Sequence, residues 1–233
     1  MDNNILRALV DLRDRTIQKN RIAFSNRFDA IERNNDTHTN GSKETIERWL
    51  MRFNELENEL DDDIREAIKG IEIIERMVEV KGVGEILAAK VVSMIDIQRS
   101  DTISALWRYA GYAVIEGKSE RRVKGELSHY NGRLKSACYL IGTSFLKSNS
   151  PYRRIYDDAK TYYEVNRPDW TKAHRHNAAM RKMIKMWLSH LWLVWRQIEG
   201  LDIRAPYVNE KLGHEHIYSP QEFGWSEVAF KAV

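Results

Sequence analysis

A single cysteine, Cys138, leaves the 233-residue chain no internal disulfide framework and fits a reducing compartment. It falls in an apolar helical run, where a buried bystander is expected rather than a nucleophile. Proline is scarce too: there are four, none before Pro151, so nothing breaks the helical patterns upstream. No apolar run approaches the roughly 18 residues of a membrane span. The opening stretch MDNNILRALVDLRDR carries no basic-then-apolar leader, so a cytoplasmic chain without a membrane partner is expected. Neither G-x-S-x-G nor G-x-x-x-x-G-K-[ST] occurs, and strands do not alternate with helices, which argues against hydrolase and nucleotide-binding folds. The three consecutive acids Asp61, Asp62 and Asp63 sit in a helical pattern, where neighbours diverge by about 100°. No metal site and no cofactor are expected.

The net charge of +3 conceals an uneven distribution. Residues 55–79 carry ten acids against three bases, whereas residues 117–135 carry six bases against two acids. Residues 172–185 add five bases and no acid. Two basic segments of this kind suit a polyanion such as nucleic acid.

Hydrophobic periodicity predicts an all-α chain. A first amphipathic helix is expected over 4–33, with Ile5, Leu9, Leu12, Ile17, Phe24, Phe28 and Ile31 near one stripe. After a polar breaker at 34–42, with Ser42 as its cap, a second helix is expected from Lys43 to Val80, roughly 55 Å long. Its apolar seam demands a partner, either the first helix in a hairpin or another copy of the chain. Residues 1–78 therefore form a coiled-coil-like arm, 79–200 a helical domain and 201–233 a surface tail. A short β-ribbon near 112–128 and helices near 131–148, 151–166 and 170–199 complete the expectation.

Between two helical patterns lies Lys81-Gly82-Val83-Gly84, followed by Ala88-Ala89 and then Tyr109-Ala110-Gly111. Glycines one residue apart permit a sharp bend, and a helix starting there leaves amides that suit a phosphate. This is a helix-hairpin-helix pattern, although a tight turn between two core helices would read the same way. Lys81, Gly82, Val83, Gly84 and Lys90 are its expected backbone contacts, with Lys118, Arg121, Arg122, Lys124, Arg133 and Lys135 extending them.

The order of these features resembles the bridge-RNA-guided insertion-sequence transposases, or bridge recombinases. In that family a coiled coil precedes a C-terminal domain with Pro-Gly-Val-Gly, Ala-Ala and Tyr-Ala-Gly. A basic serine loop and a Gly-x-Ile-x-Lys-x-Gly-Asn phrase then lead into an Arg-Leu-rich helix. Here the last phrase reads Gly125-Glu126-Leu127-Ser128-His129-Tyr130-Asn131-Gly132, then Arg133-Leu134-Lys135. The likeness covers roughly residues 5–165. Lys81 replaces the proline, and the family's RuvC-like nuclease domain, with its four acidic metal ligands, has no counterpart in the sequence.

The resemblance implies DNA binding in a recombination or transposition-type complex. Phosphate contacts alone leave structured RNA as a second ligand. The arm's long seam, which the first helix is too short to cover entirely, favours self-association. The missing nuclease domain leaves two settings: a remnant or domesticated derivative, or a chain whose partner is a separate nuclease-containing transposase. Ser119, the only serine between Gly111 and Gly125, stands near the position of the family's nucleophile. It either contacts backbone phosphate or, in an active strand-transfer subunit, attacks the phosphodiester. A third reading is an inhibitory protein that binds a full-length transposase. The pairs His174/His176 and His214/His216 have one intervening residue, which on a helix splays the rings by roughly 200°.

Overall fold

The computed structural model describes residues 3–33, 40–115, 117–203 and 218–227. The fold is all-α apart from one two-stranded ribbon among these residues. It divides into two compact units, Met1–Gly70 and Ile71–Val233. No described helix is long and apolar enough to cross a membrane.

In the first unit α1 (Asn3–Asp11) runs through a π-helical segment, Leu12–Gln18, into α2 (Lys19–Arg33). These pack on α3 (Asn40–Ile68). Leu6 and Val10 are buried in α1, and farther along Phe24 meets Phe53 with ring centroids 5.5 Å apart. Between them the hairpin is held by charge. Arg13 is bound to Asp61, and its Nη2 lies 3.0 Å from Glu57 Oε1. Glu57 also accepts from Gln18 Nε2 at 2.9 Å and from Arg21 Nε at 2.6 Å. A π segment adds a residue to the turn, and Arg13 and Gln18, both within it, converge on Glu57 together with Arg21.

The single helix expected from Lys43 to Val80 is broken. It starts at Asn40, so Ser42 is inside α3 and not its cap, and it stops at Ile68. Gly70 takes φ +73, a left-handed conformation that ends the helix, and α4 (Glu72–Glu79) starts in the second unit. The apolar stripe continues across the break, which is why periodicity alone runs through it.

The second unit continues with α5 (Glu85–Val92), α6 (Ile103–Tyr109), strands β1 (Val114–Ile115) and β2 (Lys118–Ser119), α7 (Gly132–Ser148), α8 (Arg153–Asn166) and α9 (Lys172–Ile198). Helix α9 packs against α4, α6, α7 and α8. Its Met183, Ile184, Trp187, Leu188 and Leu191 are all essentially buried. Cys138 is buried in α7, and its thiol is pushed well above the ordinary range by burial. The expected ribbon is present as two antiparallel two-residue strands, Val114 opposite Ser119.

The segment 218–227 corrects the expectation of a surface tail. Ser219 and Glu222 form a capping box over the turn Pro220–Phe223, and Phe223 and Trp225 are buried. Trp225 Nε1 donates to Tyr152 Oη at 2.8 Å, and Tyr152 Oη lies 2.6 Å from His190 Nδ1. His190 Nε2 is 3.0 Å from the Tyr218 carbonyl, which can only accept. Nε2 therefore carries the proton, and Nδ1 accepts from the tyrosine hydroxyl.

Two consequences can be measured. Arg13→Ala should leave Glu57 and Asp61 facing each other and lower stability by about 2 kcal/mol, read as a shift in urea midpoint. Burial lowers the His190 pKa from 6.5 to about 4. Its contribution is thus complete above the unfolded value and is lost as pH falls through about 4. Unfolding titrations should show roughly 3 kcal/mol disappearing over that window, and His190→Gln should remove this share of the pH dependence.

Candidate nucleic-acid interface

The bend between α4 and α5 gives its two glycines different tasks. Gly82 has φ +101, and a Cβ there would lie 2.6 Å from Ser148 Oγ and 3.2 Å from Phe145 Cδ1. Its Cα side faces the C-terminal part of α7, so the glycine is needed for packing there. Gly84, the N-cap of α5, is exposed, and a Cβ added there would meet nothing within 4 Å. Glu85, exposed in the first turn, places a carboxylate where the helix dipole favours an anion. Val83 is buried at 6% exposure, Lys81 is exposed, and Lys90 is half-buried in the last turn of α5.

The basic loop begins at the other end of α7. From Lys135 to Ser148 is about 20 Å along the helix axis. The bend and the loop are therefore separate features and not one continuous clamp.

The start of α7 is fixed by the Tyr-Ala-Gly phrase. Asn131 caps the helix, its Oδ1 accepting from the Arg133 and Leu134 amides at 3.1 Å. The same residue donates from its amide to the Tyr109 carbonyl at 2.8 Å and from Nδ2 to Tyr109 Oη at 3.0 Å. Tyr109 in turn donates to the Met94 carbonyl at 2.9 Å. Gly111 leaves room for the Tyr130 ring, which the Lys135 ammonium covers at 4.3 Å.

Beside this junction lies a cavity of about 520 Å³. Its wall includes Ser119, Glu120 and Arg121 from the ribbon and loop, Lys135, Ser136, Tyr139 and Leu140 from α7, and Asn177, Met180, Arg181 and Ile184 from α9. Lys135 donates to the Glu120 carbonyl oxygen at 2.9 Å. None of Arg121, Lys135 and Arg181 is ion-paired to a carboxylate among the described residues. Burial lowers the pKa of both Lys135 and Arg181, and the neighbouring guanidinium groups lower each further. Lys185, one turn beyond Arg181, is lowered by burial and by Arg181, with its ammonium 3.8 Å from the Trp107 ring centre. Buried charge normally finds a partner; at Lys135 the Glu120 carboxylate acts against burial, which is the larger effect.

Ser119 thus shares a cavity with three of the cations, Arg121 and Lys135 among them. Lys118 belongs to β2, Arg122 and Lys124 are exposed on the loop, and Arg133 is half-exposed in the first turn of α7. Arg181 and Asn177 do not stand out in the sequence, although the acid-free run 172–185 contains them. Only docking of α9 on α7 selects which of its bases face the loop. Among the described residues no histidine lines the cavity and its one carboxylate is Glu120, whose Oε2 is buried without a hydrogen-bond partner. His174 stacks on Trp170 at 3.9 Å while His176 Nδ1 meets Tyr156 Oη at 2.8 Å, so the two rings diverge. His214 and His216 lie outside the described residues.

Residues 74–157 match the transposase family described as IS116/IS110/IS902 and form a transposase-related domain. Comparison with curated proteins and with solved structures gives no match.

The two glycines predict opposite outcomes. Gly82→Ala should cost about 2 kcal/mol or more, from both its φ and the Ser148 contact. Gly84→Ala should change stability by less than about 0.5 kcal/mol, because its φ of −97 suits any residue. Thermal unfolding of the two variants checks this.

Proposed function

We propose that this chain binds DNA through backbone phosphates, within a recombination or transposition-type complex. The observation that carries the reading is the convergence of Arg121, Lys135 and Arg181 on one cavity of a transposase-related domain, with no carboxylate ion-paired to them among the described residues. Exposed Arg122 and Lys124 extend the positive surface outward along the loop. Such contacts fix position and supply affinity without reading sequence. The bend at Gly84, read as the hairpin of a helix-hairpin-helix, is a second and separate contact for the backbone. Structured RNA presents the same phosphates and is the natural competitor.

A second reading has Ser119 as a nucleophile in a strand-transfer subunit, and its place among the cations favours considering it. Attack by Oγ would form a phosphoserine ester and release the strand's leaving oxygen, which must take up a proton. Cations stabilise the charge that develops on phosphorus-bound oxygens. A nuclease-containing partner chain is the setting in which that chemistry belongs.

The test is quantitative binding to duplex, branched and single-stranded DNA and to structured RNA across salt. Affinity should fall steeply with salt through counterion release. Arg181→Ala and Lys135→Ala should each weaken binding by about tenfold and flatten the salt slope by about one. Salt-insensitive binding, or none to any probe, would remove the proposal. A denaturing gel with nicked DNA and Mg²⁺ addresses the second reading, since Ser119→Ala must abolish any covalent adduct.

A further inference from the structure

The cavity has more than charge. Its inner wall is apolar: Met180 and Ile184 are 2% and 1% exposed, and they lie against α7 at Gly142, where an added Cβ would come within 2.9 Å of both side chains. Its outer wall carries Tyr139 and Leu140, 44% and 50% exposed. Tyr139 stands one turn beyond Lys135 on the same face of α7. A recess with cations beside an exposed aromatic and an aliphatic floor matches a molecule that is anionic at one end and flat and apolar at the other. Its volume of about 520 Å³ is of the size of a small-molecule site.

Paired DNA does not offer such a molecule. Its phosphates lie outside and its bases are stacked, so a base can enter a recess only when it has left the helix or was never paired. We infer that the cavity receives one unpaired nucleotide, its phosphate against Arg121, Lys135 and Arg181 and its base against Tyr139 and Leu140. Asn177 and Ser136, both on the wall, offer donors and acceptors to the edge of that base. This deepens the DNA-binding reading and rests on it. Stacking on an aromatic face is tolerant of base identity, so the site selects unpaired structure over sequence.

Fluorescence anisotropy with the full chain tests the inference. The probes are a single-stranded oligothymidylate, its ribo counterpart, a fully paired duplex and the same duplex with one bulged nucleotide. Tyr139→Ala should weaken the single-stranded and bulged probes by fivefold to roughly a hundredfold and leave the paired duplex within about twofold. Ser136→Trp, which plugs the recess from an exposed position, should do the same by a different route. Lys124→Ala, on the loop and away from the cavity wall, should weaken all probes alike. Tighter binding of either the deoxy or the ribo strand identifies which nucleic acid supplies the nucleotide. Equal loss on paired and unpaired probes, or no loss in either cavity variant with circular dichroism unchanged, would overturn the site while leaving DNA binding intact. Failure of the unmodified chain to bind any probe would instead overturn the DNA-binding reading itself.

Discussion

Helix α7 lies close against α9 because Gly142 has no side chain. Met180 and Ile184 occupy the space a methyl group would need, and Phe145, one turn on, reaches the Trp187 ring at 6.3 Å. The rest of the second unit follows from that approach. With α7 held against α9, its C-terminal part receives the bend at Gly82, and its N-terminal part receives the Asn131–Tyr109 bonds. The cavity lies between the N-terminal half of α7 and α9, with Ser119, Glu120 and Arg121 on a third side. A larger residue at Gly142 would push apart the helices or fill the recess.

The same packing explains how mutually repelling cations persist. Lys135, Arg181 and Lys185 are drawn partly out of water, which raises the free energy of each charge, and each cationic neighbour adds to it while Glu120 partly offsets it at Lys135. The offset comes from the buried side of α9, where Trp187, Leu188, Leu191 and Trp192 supply large apolar area. Two cations rest on rings, Lys135 on Tyr130 and Lys185 on Trp107, which favours their charge without neutralising it. An anion entering the cavity would relieve repulsion that folding has already imposed, so binding and stability are linked through these groups.

Sequence carries the helices well and the placement of their neighbours poorly. The 3.6-residue stripes locate α7, α8 and α9 within about two residues of their ends, and the Tyr-Ala-Gly and Asn131 phrases locate the junction. The stop at Gly70 is written in Lys69-Gly70, a basic last turn followed by glycine, but the apolar stripe beyond it hides the signal. Gly82 and Gly84 are indistinguishable as letters. What separates them is Ser148, more than sixty positions along the chain, touching one and not the other. In the tail, Ser219-x-x-Glu222 is a legible cap, whereas the burial of Phe223 and Trp225 needs Tyr152 and His190 as partners.

The cavity also draws on more of the chain than the matched residues. The transposase-related match ends at residue 157, yet Asn177, Arg181 and the floor residues Met180 and Ile184 come from α9. Within the matched residues α7 would lose Met180 and Ile184, which pack on Gly142, and Trp187, which meets Phe145. A helix with that face in water is not stable alone. The matched segment therefore supplies the frame and two of the three cations, and α9 supplies the third together with the surface that makes the frame fold. Gly82, which reads as a phosphate contact in the matched phrases, packs against α7, whereas Gly84 stays open. The cavity sits where α7, α9 and the loop meet, and none of the three segments forms it by itself.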